Sequence, residues 1–142
     1  MKNMKKIATF GVFDIIHVGH VKFLKECKKL SRESKLIVVI ARDSSVLKDK
    51  GKHPIINETD RKCIVASLKP VDEAILGNEG PDKLKIVEKI KPDMIVLGYD
   101  QKWNERQLEQ ELLKRGLKIN VIRLKKYNEN NSSAIKNKIK FN

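Results

Sequence analysis

Two histidines flank a glycine near the start of the chain, in the string Gly11-Val12-Phe13-Asp14-Ile15-Ile16-His17-Val18-Gly19-His20. An apolar, β-rich run precedes this string, and apolar residues at helical spacing follow it. The histidines are therefore predicted to stand where a buried strand gives way to a helix. Unpaired backbone N–H groups and the positive end of the helix dipole face outward at such a place. A phosphate is the ligand that they attract.

The spacing of the two histidines suits one phosphate chain. His17 and His20 are three residues apart, so in the first turn of a helix their rings lie on one face. Two imidazole N–H donors would stabilise the negative charge that develops when the α-phosphorus of a nucleoside triphosphate is attacked. Gly19 would let the backbone approach the phosphates closely.

Two other interpretations of the histidines are open, an accidental polar pair at a helix start and half of a metal site. Zinc is disfavoured because no third ligand stands at a recognisable spacing. The full string in its strand-to-helix context favours the phosphate interpretation.

Strand and helix patterns alternate along the chain and supply the elements that must position these residues. The predicted strands are Ile7–Phe10, Lys35–Ala41, Asp72–Leu76, Met94–Gly98 and Ile119–Leu124. Helical spacing follows the histidine string and recurs over residues 61–68, 82–90, 105–114 and 132–139. This order predicts an α/β fold: a Rossmann-like, doubly wound parallel sheet of five strands with helices on both faces, as a single domain over residues 1–142.

One long stretch, residues 43–57, shows neither pattern and is interpreted as an active-site loop, because irregular segments of that length are uncommon unless functional. Lys48, Lys50 and Lys52 surround Gly51 in this stretch. They are candidates for contact with phosphates, and a solvated basic loop is the alternative.

Further candidates follow the other predicted strands, since ligands of open parallel sheets bind beyond the carboxyl ends of the strands. Arg61 opens the helix after the long stretch, where it either shapes the site or is an ordinary surface arginine. Asp100 follows the fourth strand and either contacts a nucleotide or serves as a turn residue. Ser132 and Ser133 precede the last predicted helix, where a simple N-cap would account for one of them.

Composition narrows the class of protein. The net charge of +13 arises from 31 basic and 18 acidic residues, which favours phosphorylated ligands without choosing among them. Aromatic residues make up only 5% of the chain, so stacking of nucleic-acid bases is not expected to be its main function. Because the sequence shows neither a run of about 18 apolar residues nor the apolar core of a signal peptide, we expect a cytoplasmic protein without a membrane partner.

The histidine string resembles the signature of the His-x-Gly-His nucleotidyltransferases, and the chain from about Lys6 to about Ile139 is similar to their small cytidylyltransferase-like group. The resemblance implies catalytic roles for His17, His20, Lys50 and Lys52, with Lys48 as a substitute in the basic pair. It also implies magnesium held mainly by phosphates, with Asp14 as a possible ligand. The implied nucleotide-binding set is Val12, Phe13, His17, Val18, Gly19, His20, Asp100, Tyr127, Ser132 and Ser133.

The chain departs from the family pattern near its end. Members of the family carry an arginine or lysine and then a serine- and threonine-rich stretch that embraces the β- and γ-phosphates. Here Lys126 and Tyr127 take the place of the basic segment, and Ser132 and Ser133 supply the hydroxyl groups. This departure weakens the assignment of individual roles more than the location of the site.

Three segments, residues 40–43, 68–77 and 91–101, look most like the archaeal FAD synthases. That resemblance implies transfer of AMP from ATP to the phosphate of FMN, with release of pyrophosphate and with ATP and FMN as small-molecule partners. Archaeal FAD synthases often carry cysteines in their C-terminal region, whereas this chain has none after Cys63. A CTP-dependent glycerol-3-phosphate or related alcohol-phosphate cytidylyltransferase is therefore the alternative. A non-catalytic nucleotide-binding module is the third possibility. Related small transferases frequently form dimers, so a homodimer is possible.

Overall fold

The computed structural model describes residues 4–125, which form a five-stranded parallel sheet with helices on both faces. The strands are Lys5–Gly11 (β1), Ser34–Ile40 (β2), Glu73–Leu76 (β3), Met94–Leu97 (β4) and Asn120–Arg123 (β5). The helices are Val18–Lys28 (α1), Asp43–Lys50 (α2), Glu58–Ala66 (α3), Lys85–Ile90 (α4) and Glu105–Lys114 (α5). The predicted fold class is confirmed.

The order of the strands across the sheet is β3-β2-β1-β4-β5. The chain therefore builds one half of the sheet outward from β1, returns to the other side of β1, and builds the second half. The strand order reverses between β1 and β4, and ligands of open α/β sheets bind beyond the carboxyl ends of the strands at such a point. The histidine string begins at the carboxyl end of β1.

Two apolar clusters, one on each face, hold the sheet between its helices. One cluster joins Ala8 and Ile95 of the sheet to Val87 of α4 and Leu112 of α5. The other joins Ile7 and Val38 of the sheet, among other residues, to α1 and α3. Residues 36–40 of β2 are all buried, because a parallel strand covered on both faces exposes neither set of its alternating side chains.

The interpretation of residues 43–57 as one irregular loop is wrong in its first half. Residues 43–50 form α2, which ends where Gly51 adopts a φ of 77° and donates its N–H to the carbonyl of Leu47 at 2.8 Å. Val46 is the buried residue of this helix. With so little apolar periodicity, the helix leaves no pattern for sequence analysis to detect. Residues 51–57 do form an irregular connection to α3.

Two of the predicted helices occur with shifted bounds, because α3 begins at Glu58 after an Asn57 cap and α4 begins only at Lys85. The helix predicted over residues 105–114 occurs as α5 with the same bounds. The predicted helix over residues 132–139 lies outside the described residues. Among residues 4–125, no helix has the length and apolar character needed to cross a membrane.

Candidate active site

The backbone turns sharply where β1 ends. Phe13 adopts a φ of 52°, and its ring folds back over Gly11, where a Cβ atom would lie 2.6 Å from the Phe13 Cε2 atom. A glycine is therefore required at position 11 for the ring to pack as it does. Phe13 is buried, and its ring centroid lies 5.4 Å from that of His20.

The two signature histidines cap α1 together. His17 is the N-cap residue, and its Nδ1 atom accepts the N–H of Gly19 at 3.0 Å. The Nδ1 atom of His20 accepts the N–H of His17 at 3.2 Å, and the two ring centroids are 4.0 Å apart. A neutral imidazole whose Nδ1 accepts a hydrogen bond carries its proton on Nε2. Both rings thus present an Nε2–H donor on the side turned away from the capped backbone.

The surroundings of His20 favour its neutral form. Burial of the ring, and next the charge of His17, hold the pKa of His20 below its ordinary value of 6.5. The carboxylate of Asp100 opposes this shift, so Asp100 lies close enough to His20 to affect it. The structure therefore brings the predicted residue after β4 to the histidine pair after β1.

Gly19 has a packing role that sequence analysis did not foresee. A Cβ atom at this position would lie 2.8 Å from the Cε1 atom of His17 and 3.0 Å from its Nδ1 atom. Any side chain would therefore displace the His17 ring from the amide that it caps. The glycine protects the orientation of the histidine, in addition to the phosphate approach expected of it.

Asp14 joins the irregular connection before α3 to the turn between β1 and α1, residues 12–17, which we call the signature turn. Its two carboxylate oxygens accept the N–H groups of Ile55 at 2.8 Å and Ile56 at 2.9 Å. These two hydrogen bonds hold the pKa of Asp14 below its ordinary value, with smaller contributions from the charges of Arg61 and Lys50. Within residues 4–125, no group of three or more histidine, cysteine or carboxylate side chains is placed to hold a metal ion.

Arg61 is fully buried, so its interpretation as a surface arginine is wrong. Its Nε donates to the carbonyl of Ile56 at 2.8 Å, and one terminal nitrogen donates to the carbonyl of Val12 at 2.7 Å. The other terminal nitrogen contacts the carboxylate of Asp43 at 2.6 Å. One side chain thus joins the signature turn, the connection before α3 and the start of α2.

Asp43, a polar residue just after β2, and Glu58, which was missed by sequence analysis, tie the starts of α2 and α3 together. The Glu58 carboxylate accepts the N–H of Asp43 at 2.7 Å, and the Asp43 carboxylate accepts the N–H of Glu58 at 3.3 Å. Each acidic residue therefore satisfies a free amide at the start of the other's helix. Both stand in the first turn of a helix, where acidic residues are favoured, and that position is the signal from which Glu58 could have been found.

The predicted basic pair lies on either side of the Gly51 cap. Lys50 is in the last turn of α2 and Lys52 follows the cap, and both are exposed. The charge of Lys50 contributes to the lowered pKa of Asp14, so this lysine lies near the signature turn. Contact of Lys50 and Lys52 with a triphosphate stays a prediction.

Gln101 and Arg123 clamp the loop after β4, and neither was singled out from the sequence. The Gln101 side chain accepts the N–H of Gly98 and donates to the carbonyl of Phe10 at the end of β1, both at 2.9 Å. Arg123 donates to the carbonyls of Gly98 at 2.7 Å, Gln101 at 2.9 Å and Trp103. This loop carries Asp100, so the clamp determines where that carboxylate stands.

A comparison with protein families matches residues 8–138 to the family described as Cytidylyltransferase-like. The chain belongs to this family. The match begins within β1 and covers the turn after it, Arg61, the clamped loop after β4 and strands β2 to β5.

Several similar members of the family carry the name FAD synthase. The cytidylyltransferase-like chain is 54% identical over 126 residues to a protein of Aciduliprofundum boonei named FAD synthase, covering 89% of this chain and 82% of that one. It is 46% identical over 138 residues to the FAD synthase of Thermoplasma volcanium, covering 96% and 94% of the two chains. A crystal structure described as a lipopolysaccharide core biosynthesis protein of Thermoplasma volcanium has a TM-score of 0.82 and 46% identity, covering 89% of this chain and all of that one.

Three of the predicted site residues of this cytidylyltransferase-like chain, Tyr127, Ser132 and Ser133, lie outside the described residues, as does Lys126. Their roles toward the β- and γ-phosphates stay predictions. Val12, Phe13 and Val18 lie in or next to the signature turn, where Val12 offers its carbonyl to Arg61 and Phe13 packs against His20.

Proposed function

We propose that this chain is an FAD synthase, a nucleotidyltransferase that transfers AMP from ATP to the phosphate of FMN and releases pyrophosphate. The observation that carries the proposal is the paired histidine cap, which leaves two Nε2–H donors beside each other at the carboxyl end of β1. The choice of substrates is supported by the 45–54% identity to several proteins named FAD synthase over most of the chain.

The proposed reaction needs no covalent nucleophile. An oxygen of the FMN phosphate attacks the α-phosphorus of ATP, a new P–O bond forms, and the bond to pyrophosphate breaks in line with it. The Nε2–H groups of His17 and His20 donate to the α-phosphate oxygens, on which negative charge accumulates in the transition state. Lys50 and Lys52 offset charge on the triphosphate, and Asp100 accepts hydrogen bonds from the nucleoside.

The residues suit a divalent cation that arrives with the nucleotide, and we propose Mg²⁺. The described residues provide no three-membered ligand group of their own, and both oxygens of Asp14 already accept backbone N–H groups. Phosphate oxygens would therefore be the main ligands. When bound, such an ion neutralises charge on the departing pyrophosphate.

A product assay tests the proposal. Purified protein is incubated with Mg²⁺ and each pairing of ATP or CTP with FMN or glycerol 3-phosphate, and the products are identified by mass. FAD from ATP and FMN is the expected result. A CDP-alcohol from CTP would replace the proposal with a cytidylyltransferase, and absence of any product would favour a nucleotide-binding module. A double variant, His17→Asn with His20→Asn, controls for contaminating activity.

We further propose that the protein works in the cytoplasm with ATP and FMN as its small-molecule partners. A homodimer is part of this proposal as well, and light scattering at assay concentrations tests it against a monomer.

A further inference from the structure

Two isoleucines beside the signature turn are exposed although they are large and apolar. Ile15 is 57% exposed, and Ile55, at 79%, has the highest exposed fraction among the large hydrophobic side chains in the described part of the chain. We call Ile15 and Ile55 the isoleucine pair. Exposed apolar side chains that lie close together, unlike those scattered singly, commonly mark a binding site.

The backbone of the isoleucine pair is held firmly. Ile15 directly follows Asp14, whose carboxylate accepts the N–H groups of Ile55 and Ile56 at 2.8 and 2.9 Å. The carbonyl of Ile56 accepts a hydrogen bond from the buried Arg61 at 2.8 Å. Ile55 thus stands on a short connection that is fastened on both sides, and both isoleucines stem from backbone next to the same carboxylate.

The isoleucine pair lies on the side of the site where the acceptor substrate is expected to bind. Ile15 is two residues before His17, which caps α1 and offers its Nε2–H donor. The nucleotide side of the site has other residues, because Asp100 and its clamped loop approach the histidines from β4. A group bound at the isoleucine pair would therefore lie next to the histidines on the side of the α2–α3 connection.

The isoalloxazine ring of FMN would be stabilised by an apolar surface such as the isoleucine pair. Its phosphate and ribityl chain are polar, whereas its isoalloxazine ring is flat and ends in a dimethylbenzene edge that gains free energy when apolar surface covers it. Glycerol phosphate has no apolar part and would gain nothing from exposed isoleucines.

We infer that Ile15 and Ile55 form the apolar surface against which the isoalloxazine ring of FMN rests, which makes them specificity-determining residues for the acceptor. This inference rests on the proposed FAD synthase function.

The test compares Ile55→Ser and Ile15→Ser with Leu113→Ser, a matched control because Leu113 is 61% exposed on α5. FMN binding is titrated by flavin fluorescence, with and without a non-hydrolysable α,β-methylene ATP analogue. KM values for FMN and ATP are then measured separately. We expect the Kd and KM for FMN to rise about tenfold in the isoleucine variants, since each loses most of its apolar contact area. KM for ATP should stay within about twofold, and Leu113→Ser should match the wild type.

Two results would overturn the inference. FMN affinity in both isoleucine variants equal to that of Leu113→Ser would show that the pair does not contact the ring. Equal increases in KM for FMN and for ATP would assign the pair to the general shape of the site. The wild-type product assay distinguishes failure of this inference from failure of the proposed function. If the wild type makes FAD, the proposed function stands, whatever the variants show. A wild type that makes no FAD overturns both.

Discussion

Each signature histidine uses its two ring nitrogens for different purposes. The Nδ1 atom accepts a backbone N–H at the start of α1, and the Nε2–H is left for a ligand. Capping therefore selects the tautomer that phosphate binding needs. The same arrangement makes the two purposes separable by mutation, because asparagine is a strong N-cap that lacks the reach of the imidazole.

We expect His17→Asn to retain the thermal stability of the wild type and to lose about 100-fold or more in kcat, since one transition-state donor is removed. His17→Ala should lose activity to the same extent and also about 1 kcal/mol of stability, because the cap is gone as well. Steady-state kinetics and thermal unfolding of the two variants check this. A kcat for His17→Asn within a few-fold of the wild type would contradict the proposed role.

The pKa of His20 makes part of the stability depend on pH. Because this pKa is lowered from 6.5 on folding, the unfolded chain binds more protons at this site in the interval between the two values. The contribution of His20 is therefore complete above 6.5 and is lost as the pH falls through the lowered pKa. Protonation also places a hydrogen on Nδ1, which then no longer accepts the N–H of His17.

We expect the wild type to lose more unfolding free energy than His20→Asn between about pH 7 and pH 5. Urea denaturation at several pH values measures the difference. Proton NMR of the ring should show His20 titrating below 6.5, and with three histidines in the chain the variant spectrum assigns the signal. If the unfolding free energies of the two proteins depend on pH in the same way, protonation of His20 does not weaken the cap.

At the scale of elements, Arg61 joins three segments that sequence order keeps apart. It contacts the turn after β1, the connection before α3 and the start of α2, and its side chain has no exposed surface. Its planar guanidinium reaches three acceptors in different directions, which an ammonium group at the end of a flexible chain does not reproduce.

Arg61→Ala should lower the unfolding free energy by about 3 kcal/mol, because it leaves the Asp43 carboxylate and two carbonyls without their buried partner. Arg61→Lys should retain part of the stability but a small share of the activity, since the signature turn loses its tie to Ile56. Urea denaturation midpoints and kcat check both expectations. Arg106→Ala, at an exposed position of α5, is the control, and equal midpoints for Arg61→Ala and Arg106→Ala would refute the argument.

Loss of the Arg123 clamp on the loop after β4 is expected to change the kinetics in a different way. Arg123 donates to three backbone carbonyls of the loop that carries Asp100, so its loss frees the loop without touching the histidines. We expect Arg123→Gln to raise KM for ATP about tenfold and to change KM for FMN little, given roughly 1 kcal/mol for each hydrogen bond. Titration of each substrate at saturation of the other measures this. A fall in kcat alone would indicate that the clamp acts on the chemistry.

At the scale of the whole molecule, the net charge of +13 favours the capture of anionic substrates. Attraction between a cationic protein and a triphosphate acts over about 30 Å in dilute salt and only about 3 Å at 1 M. We expect kcat/KM for ATP to fall several-fold as sodium chloride rises over this range, while kcat at saturation changes little. Initial rates at low ATP concentration measure it. A salt-independent kcat/KM would mean that the charge serves another purpose.

Local patterns in the sequence determined the strands and the place of the signature. The buried run of β2 could be predicted because a strand covered on both faces must be apolar at successive positions. The strand-to-helix step around His17 and His20 followed from the change of apolar period, and the alternation of elements determined the fold class. The helix α2 was not predicted, because its single buried residue, Val46, makes no periodic pattern.

The tertiary structure alone decided which side chains complete the site. Asp14 meets Ile55 across 41 residues, Arg61 meets Val12 across 49, and Gln101 meets Phe10 across 91. Apolar periodicity does not predict such contacts. The contact of Gln101 with Phe10 depends on the strand order that places β4 beside β1, and the other two depend on how α3 and the connection before it pack against the turn after β1. A local pattern reports which face of an element is buried, whereas the partner of a polar group depends on how the elements pack.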